Sequence, residues 1–238
     1  MSVLKAKDPQ TGEFSAQYGV SVNDGYNAGK LAERSAFWDS AQNYGKRVNY
    51  EGGFSGESWT DKTFYPKYDI KPTNITYLFR RCGFDGSVKE RLAECGVVLD
   101  LSSVKKDSMV QPFAYAKCTE FPALDISHLS SPSLSNWFLY SQQLKTIEKL
   151  VINETCTFDS GTFKYCYALE NIAIEGTIGQ NGINFSWSPL THDSLMSIIN
   201  ALQTKTSGTW TVTLGVDNLA KLTDAEKAIA TQKGWTLA

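Results

Sequence analysis

Two hydrophobic patterns recur along the chain, out of phase with each other. In "FAYAKC" at 113–118, "FLYSQQ" at 138–143 and "FKYCYA" at 163–168 a phenylalanine is followed two residues on by a tyrosine, and each copy begins 25 residues after the last. Phe79 in "YLFRRC" is an earlier member, separated from Phe113 by an inserted helix. The second pattern is a short alternating apolar segment: "LDLS" at 99–102, "LDIS" at 124–127, "LVIN" at 150–153 and "IAIE" at 172–175, at intervals of 25, 26 and 22 residues. Such segments predict strands with one buried face. One strand in every 22–26 residues predicts an α/β leucine-rich-repeat solenoid, because a single unit cannot bury its own apolar face and neighbours must stack. Leu99, Leu124 and Leu150 then become lateral neighbours in a shared sheet.

Helix boundaries are written between and after these repeats. "SVKERLAECG" has Ser87 as N-cap, Glu90 three residues on, and Gly96 just past the end. "TDAEKAIATQKG" repeats the scheme with Thr223, Glu226 and Gly234. In "THDSLMSIINALQT", Leu195, Ile198, Ile199 and Leu202 share one face behind a Thr191 cap. A further helix is predicted over 27–43, closed by Gly45. The organisation that follows is a flexible or assembly-attachment arm at 1–22 and an N-terminal cap of helix plus aromatic loop at 23–74. Repeats occupy 75–190, and a C-terminal helix-strand-helix-strand cap occupies 191–238, with Trp210 and Trp235 as plugs.

Composition narrows the function. Across 238 residues, 42% hydrophobic and 20% charged, there is enough apolar surface for a sizeable core. A formal net charge of −2 argues against nucleic acid, whose phosphates require a basic face. No apolar run approaches the roughly 18 to 20 residues of a membrane helix, so membrane insertion is not expected. The opening "MSVLKAKDPQTGEF" has no apolar signal core, which predicts synthesis in the cytoplasm without a signal peptide. The five cysteines form no C-x-x-C pair and predict buried free thiols; Cys82 and Cys166 each follow a repeat phenylalanine by three residues. Three Asn-x-Ser/Thr triplets, at Asn74, Asn153 and Asn184, carry little weight without a secretory signal.

Catalytic chemistry is not written in the chain. His128 and His192 lack metal-ligand spacing, no G-x-S-x-G elbow occurs, and "GGFSGES" at 52–58 lacks the ending of a phosphate-binding loop. No catalytic residue, metal ligand or cofactor is expected. Asp100 and Asp125 share a repeat position; as stacked carboxylates one would hold a raised pKa, whereas alternation along the strand makes them ordinary solvated residues. The more distinctive constellation is Tyr115, Tyr140 and Tyr165, with Arg81 at the equivalent place. If the chain is extended these tyrosines point inward with the phenylalanines as an internal ladder; in a tight turn they swing out as a platform. Trp137, Tyr167 and Lys164 would extend that platform as ligand-binding residues.

The Phe-x-x-Cys-x-x-Leu pattern of "FKYCYALENIAI" resembles the irregular leucine-rich repeats of the BspA type over roughly 75–190, with Ser141 standing where the pattern has Cys. The chain as a whole, through "LKAKDPQTGEF", "AFWDSAQNYGKRVNY" and "LTDAEKAIATQKGWTLA", resembles phage tail and virion-appendage proteins of gut bacteria. That resemblance implies a non-enzymatic, virion-associated attachment module that binds a cell-surface glycan or protein. It also implies contact with other virion proteins through the N-terminal arm, and it leaves homo-oligomerisation open. A structural spacer or oligomerisation module without a ligand is the alternative, and a glycan hydrolase using Asp100 and Asp125 ranks last.

Overall fold

The computed structural model describes residues 5–7, 14–16, 66 and 69–238. The chain divides into two units, Met1–Lys46 and Arg47–Ala238. In the first, β1 (Lys5–Lys7) and β2 (Phe14–Ala16) pair antiparallel with Lys5 opposite Ala16. The arm expected over 1–22 therefore contains paired strands, each too short for a two-residue period to register in the sequence. The helix expected at 27–43 and the aromatic loop before residue 66 lie outside the described residues. The division after Lys46 falls inside the expected 23–74 cap.

In the second unit the described residues form helices and small open sheets. β5 (Thr146–Ile152) lies in the middle of a parallel sheet, with β3 (Glu120–Phe121) and β4 (Leu124–Asp125) along one edge and β6 (Asn171–Gly176) along the other. Pro122, which has no N–H to give, separates β3 from β4, and Ala123 N–H turns to the Glu148 carboxylate instead at 3.2 Å. Leu124 faces Leu150, and Leu150 faces Ile174 rather than Ile172. The register shifts within β5 between Ile147 and Leu150. Parallel bridges continue on both sides of this sheet, Ile70 to Leu99, Ser87 to Glu120, Ser133 to Thr157, Ile178 to Leu202 and Asn184 to Thr213. β7 (Trp210–Val212) and β8 (Trp235–Leu237) form a parallel pair of their own.

The phenylalanine segments are tied to one another in the same sense. Phe79 N–H donates to Pro112 C=O at 2.6 Å, Phe113 N–H to Trp137 C=O at 3.1 Å, and Phe138 N–H to Thr162 C=O at 2.9 Å. These phenylalanine amides thus find partners in the next copy rather than within their own. Their rings form a buried column, with centroids 6.0 Å apart from Phe79 to Phe113, 5.2 Å to Phe138, 5.4 Å to Phe163 and 4.4 Å to Phe185. Phe185 is a member that the Phe-x-Tyr spacing missed. Ser141 Oγ donates to Phe113 C=O at 2.7 Å, and Cys166 Sγ donates to Phe138 C=O at 3.1 Å, so serine does the work of the expected cysteine.

Asparagine and aspartate close the turns that follow the strand segments. Asp100 accepts from Ser102 N–H, Asp125 from Ser127 N–H, Asn153 from Thr155 N–H and Asn184 from Ser186 N–H, each at 2.9 Å. Asn74 does the same for Thr76 N–H at 2.8 Å. The glycosylation-like triplets are therefore side-chain-capped turns, in which the hydroxyl or amide two residues on is what the asparagine holds.

Four helices occur among the described residues. α1 (Val88–Cys95) begins where Ser87 Oγ accepts from Glu90 N–H, and it ends on left-handed Gly96. The Ser87 hydroxyl proton goes to Glu120 at 2.7 Å, which ties the cap to β3. α2 (His192–Ala201) buries Leu195, Ile198 and Ile199 and covers the open edge of β6. There Ser194 Oγ accepts from Ile172 N–H at 2.9 Å and Ser197 Oγ from Ile174 N–H at 2.8 Å. An exposed row of strand amides is thereby satisfied, as sheet edges require. The short α3 (Val216–Leu219) precedes α4 (Asp224–Gln232), where Thr223 and Glu226 complete a reciprocal capping box. Trp235 is buried, donates to Gln203 C=O at 2.7 Å, and sits 5.6 Å from Trp210. No helix among the described residues is long and apolar enough to cross a membrane.

Candidate functional site

The direction of the tyrosines is decided by backbone conformation. Arg81, Tyr115, Tyr140 and Tyr165 all have φ between 56° and 64°. Tyr77, Gln111 and Asn136, two residues before Phe79, Phe113 and Phe138, are left-handed as well, with φ of 57°, 45° and 56°. Non-glycine residues visit this region at a cost of about 1–2 kcal/mol each, and such residues concentrate where function constrains the chain. In extended chain Phe113 and Tyr115 would share a face; the left-handed residue turns the tyrosine out while the phenylalanine stays buried. Of the two directions, outward is the one the backbone takes.

What results is a row of rings across successive copies. Tyr115 and Tyr140 stack with centroids 5.2 Å apart and planes 8° from parallel, and Tyr140 and Tyr165 follow at 4.3 Å. Trp187 continues the row 4.8 Å beyond Tyr165, and Tyr167 lies 5.8 Å from Tyr165 and 6.1 Å from Trp187. Tyr140 is 40% exposed, Tyr167 50% and Trp187 38%. Tyr115 and Tyr165 are half-buried by their neighbours. At one end the Arg81 guanidinium lies 5.7 Å from the Tyr115 ring centre, as does that of Arg80. Lys164 Nζ lies 5.0 Å over Tyr165. Each is within reach of a cation–π attraction. Partial desolvation, followed by the adjacent Tyr165 hydroxyl, raises the Tyr140 phenol, which therefore stays protonated and able to donate a hydrogen bond.

Trp137 does not belong to this row. It is fully buried, packed 5.5 Å from Phe113 and 6.2 Å from Phe138. The residue before the phenylalanine is likewise buried at Leu78, Pro112 and Thr162, and left-handed Tyr77, Gln111 and Asn136 redirect the chain just ahead of Leu78, Pro112 and Trp137. Trp187 takes the place that Trp137 was expected to fill. Its signal was available: Phe185-Ser186-Trp187 lies 22 residues after Phe163 and sets tryptophan where the other copies have tyrosine.

The remaining candidates resolve into structural roles. The Asp100 carboxyl is held below its usual range by the Ser102 hydroxyl and amide, the opposite of the rise that the stacked-carboxylate alternative allowed for one of the pair. His128 Nε2 lies 3.3 Å from Val104 C=O, and His192 Nε2 lies 2.8 Å from the Glu226 carboxylate, joining α2 to the cap of α4. Cys82, Cys118, Cys156 and Cys166 are buried and Cys95 is half-buried; all are free thiols. Burial pushes Cys156 and Cys166 up to about 12. Cys118 donates to Cys82, which lowers the Cys82 thiol, while burial pushes Cys118 well up. Among the described residues no group of His, Cys, Asp and Glu is arranged to hold a metal ion. Compared with protein-family models, curated proteins and solved structures, the chain matches none.

Proposed function

We propose that the chain is a leucine-rich-repeat-type solenoid whose aromatic ridge, Tyr115–Tyr140–Tyr165–Trp187 with Tyr167 beside it, is a non-enzymatic recognition surface for a cell-surface glycan or protein. One observation carries this reading. Large rings are held out toward solvent, in contact from one copy to the next, on backbone conformations that cost energy to maintain. A chain selected only for packing has no need to hold tyrosine in that geometry, since asparagine or glycine occupies it at lower cost. Contiguous exposed aromatic surface marks interaction sites, and tyrosine offers an apolar body with a polar tip. In this reading the arm at 1–22 fixes the module to a larger assembly, consistent with the resemblance to virion appendages. Binding of the full chain to a glycan array and to host-cell surfaces, compared with Tyr140→Asn, tests the ridge. Asparagine tolerates the left-handed backbone and removes the ring. A bound ligand lost at least tenfold in the variant is the expected result. Equal binding by both proteins removes the ridge as the site, and the absence of any bound ligand favours a spacer.

A further inference from the structure

We infer that the partner of the aromatic ridge is an acidic polysaccharide, a linear glycan carrying carboxylate or sulfate groups; the inference rests on the ridge being the recognition surface. The charge along the ridge is of one sign. From three residues before to five residues after Phe79, Phe113, Phe138, Phe163 and Phe185 there is no aspartate or glutamate, while Arg80, Arg81, Lys117 and Lys164 all fall within those segments. This happens in a chain whose formal net charge is −2. Several cations elsewhere on the surface are matched: Lys89 contacts Glu120 and Glu148, and Lys149 contacts Glu175 at 2.6 Å. Among the described residues none of Arg80, Arg81, Lys117 and Lys164 is in a salt bridge. Arg80 also keeps a buried Nε without a hydrogen-bond partner. A basic row without acidic partners favours anions.

Ring geometry separates a polysaccharide from other polyanions. Tyr115 and Tyr140 face each other 8° from parallel, so their flat faces are spent on one another and the edges with their hydroxyls remain for a ligand. Single-stranded nucleic acid needs free faces on which bases stack, and the stacked part of this ridge does not offer them. A standard protein interface covers about 800 Å² per partner, whereas this ridge is a narrow row of five rings in contact, with exposed Lys117 and Gln142 two residues after Tyr115 and Tyr140. A row of phenol hydroxyls, each both donor and acceptor and set between cations, matches a polymer that repeats hydroxyl and acidic groups along a line. The free aromatic surface at Trp187 and Tyr167 is left for the apolar face of one sugar ring.

The test is affinity electrophoresis of the full chain through gels containing neutral dextran, dextran sulfate, polygalacturonate or polyglutamate, at physiological ionic strength. Retardation by polygalacturonate or dextran sulfate and not by dextran is expected, and which of the two acts separates carboxylate from sulfate. The double variant Arg81→Gln, Lys164→Gln should weaken that retardation at least tenfold and flatten its salt dependence. Lys149→Gln, which removes a paired cation elsewhere, should leave it unchanged, and circular dichroism should show all variants folded. If dextran or another neutral glycan binds and only Tyr140→Asn abolishes it, the ridge stands as the site and the acidic ligand falls. Retardation by polyglutamate that is equal to that of the acidic glycans points to a protein partner and overturns the inference. So does retardation that the Arg81 and Lys164 variant leaves intact.

Discussion

At the scale of single residues, one backbone position carries most of what distinguishes this surface. Arg81, Tyr115, Tyr140 and Tyr165 are left-handed, and no propensity rule places tyrosine there, so the sequence left the column open between core and platform. The phenylalanines were legible because apolar identity repeats at a fixed interval; the outward turn was not, because it depends on φ rather than on hydrophobicity. Trp137 was misplaced for the same reason. The buried thiols were legible as small apolar side chains, and they make a measurable prediction. Between the ordinary thiol value of 9.0 and about 12 the folded chain keeps protons on Cys156 and Cys166 that the unfolded chain has released. The folded state binds more protons in that window, so the stability contributed by these groups is present in full below 9.0 and is lost as pH rises toward about 12. By about pH 10.5 each thiol should cost about 2 kcal/mol. Cys166→Ser places a hydroxyl where Ser141 already serves its own copy, keeps the bond to Phe138 C=O, and does not titrate. Urea denaturation at pH 8 and about pH 10.5 should show the alkaline loss reduced by about 2 kcal/mol in that variant. An unchanged loss would remove burial of this thiol as its cause.

At the scale of elements, helices and strands were unequally legible. Ser87, Thr191 and Thr223 announce their helices by cap chemistry that acts within four residues, and each is found capping. Strand register is a different matter. Leu150 faces Ile174 and not Ile172, and a slip of two residues keeps every side chain on the same face, so hydrophobic alternation alone cannot detect it. The closing of β6 by α2 was also hidden, because it depends on serine hydroxyls meeting strand amides more than 20 residues away. Ser194→Ala leaves the Ile172 amide buried without its acceptor and should destabilise by about 1–3 kcal/mol. Hydrogen exchange should speed first at Ile172; if exchange there is unaltered, the Ser194 hydroxyl is not what protects this part of the β6 edge.

At the scale of the whole molecule, cohesion among the described residues runs through neighbours. Parallel pairs and the phenylalanine column join each copy to the next, so no single copy owns a complete core. Phe138, with ring neighbours on both sides in Phe113 and Phe163, should be a costly truncation. Phe138→Ala is expected to lower stability by about 3–5 kcal/mol in urea denaturation. A loss below about 1 kcal/mol would mean that the column is not the core. The left-handed positions have one further consequence. Arg81, Tyr115 and Tyr140 tie the copies together through main-chain amides, donating to Ala114, Leu139 and Lys164 carbonyls at 2.9, 2.7 and 2.9 Å. The structural task at each site is therefore done by atoms that every amino acid except proline possesses. Arginine, tyrosine, asparagine or glycine can alternate there without rewiring the scaffold, so that the chemistry of the exposed row can drift by point mutation while the frame beneath it stays the same.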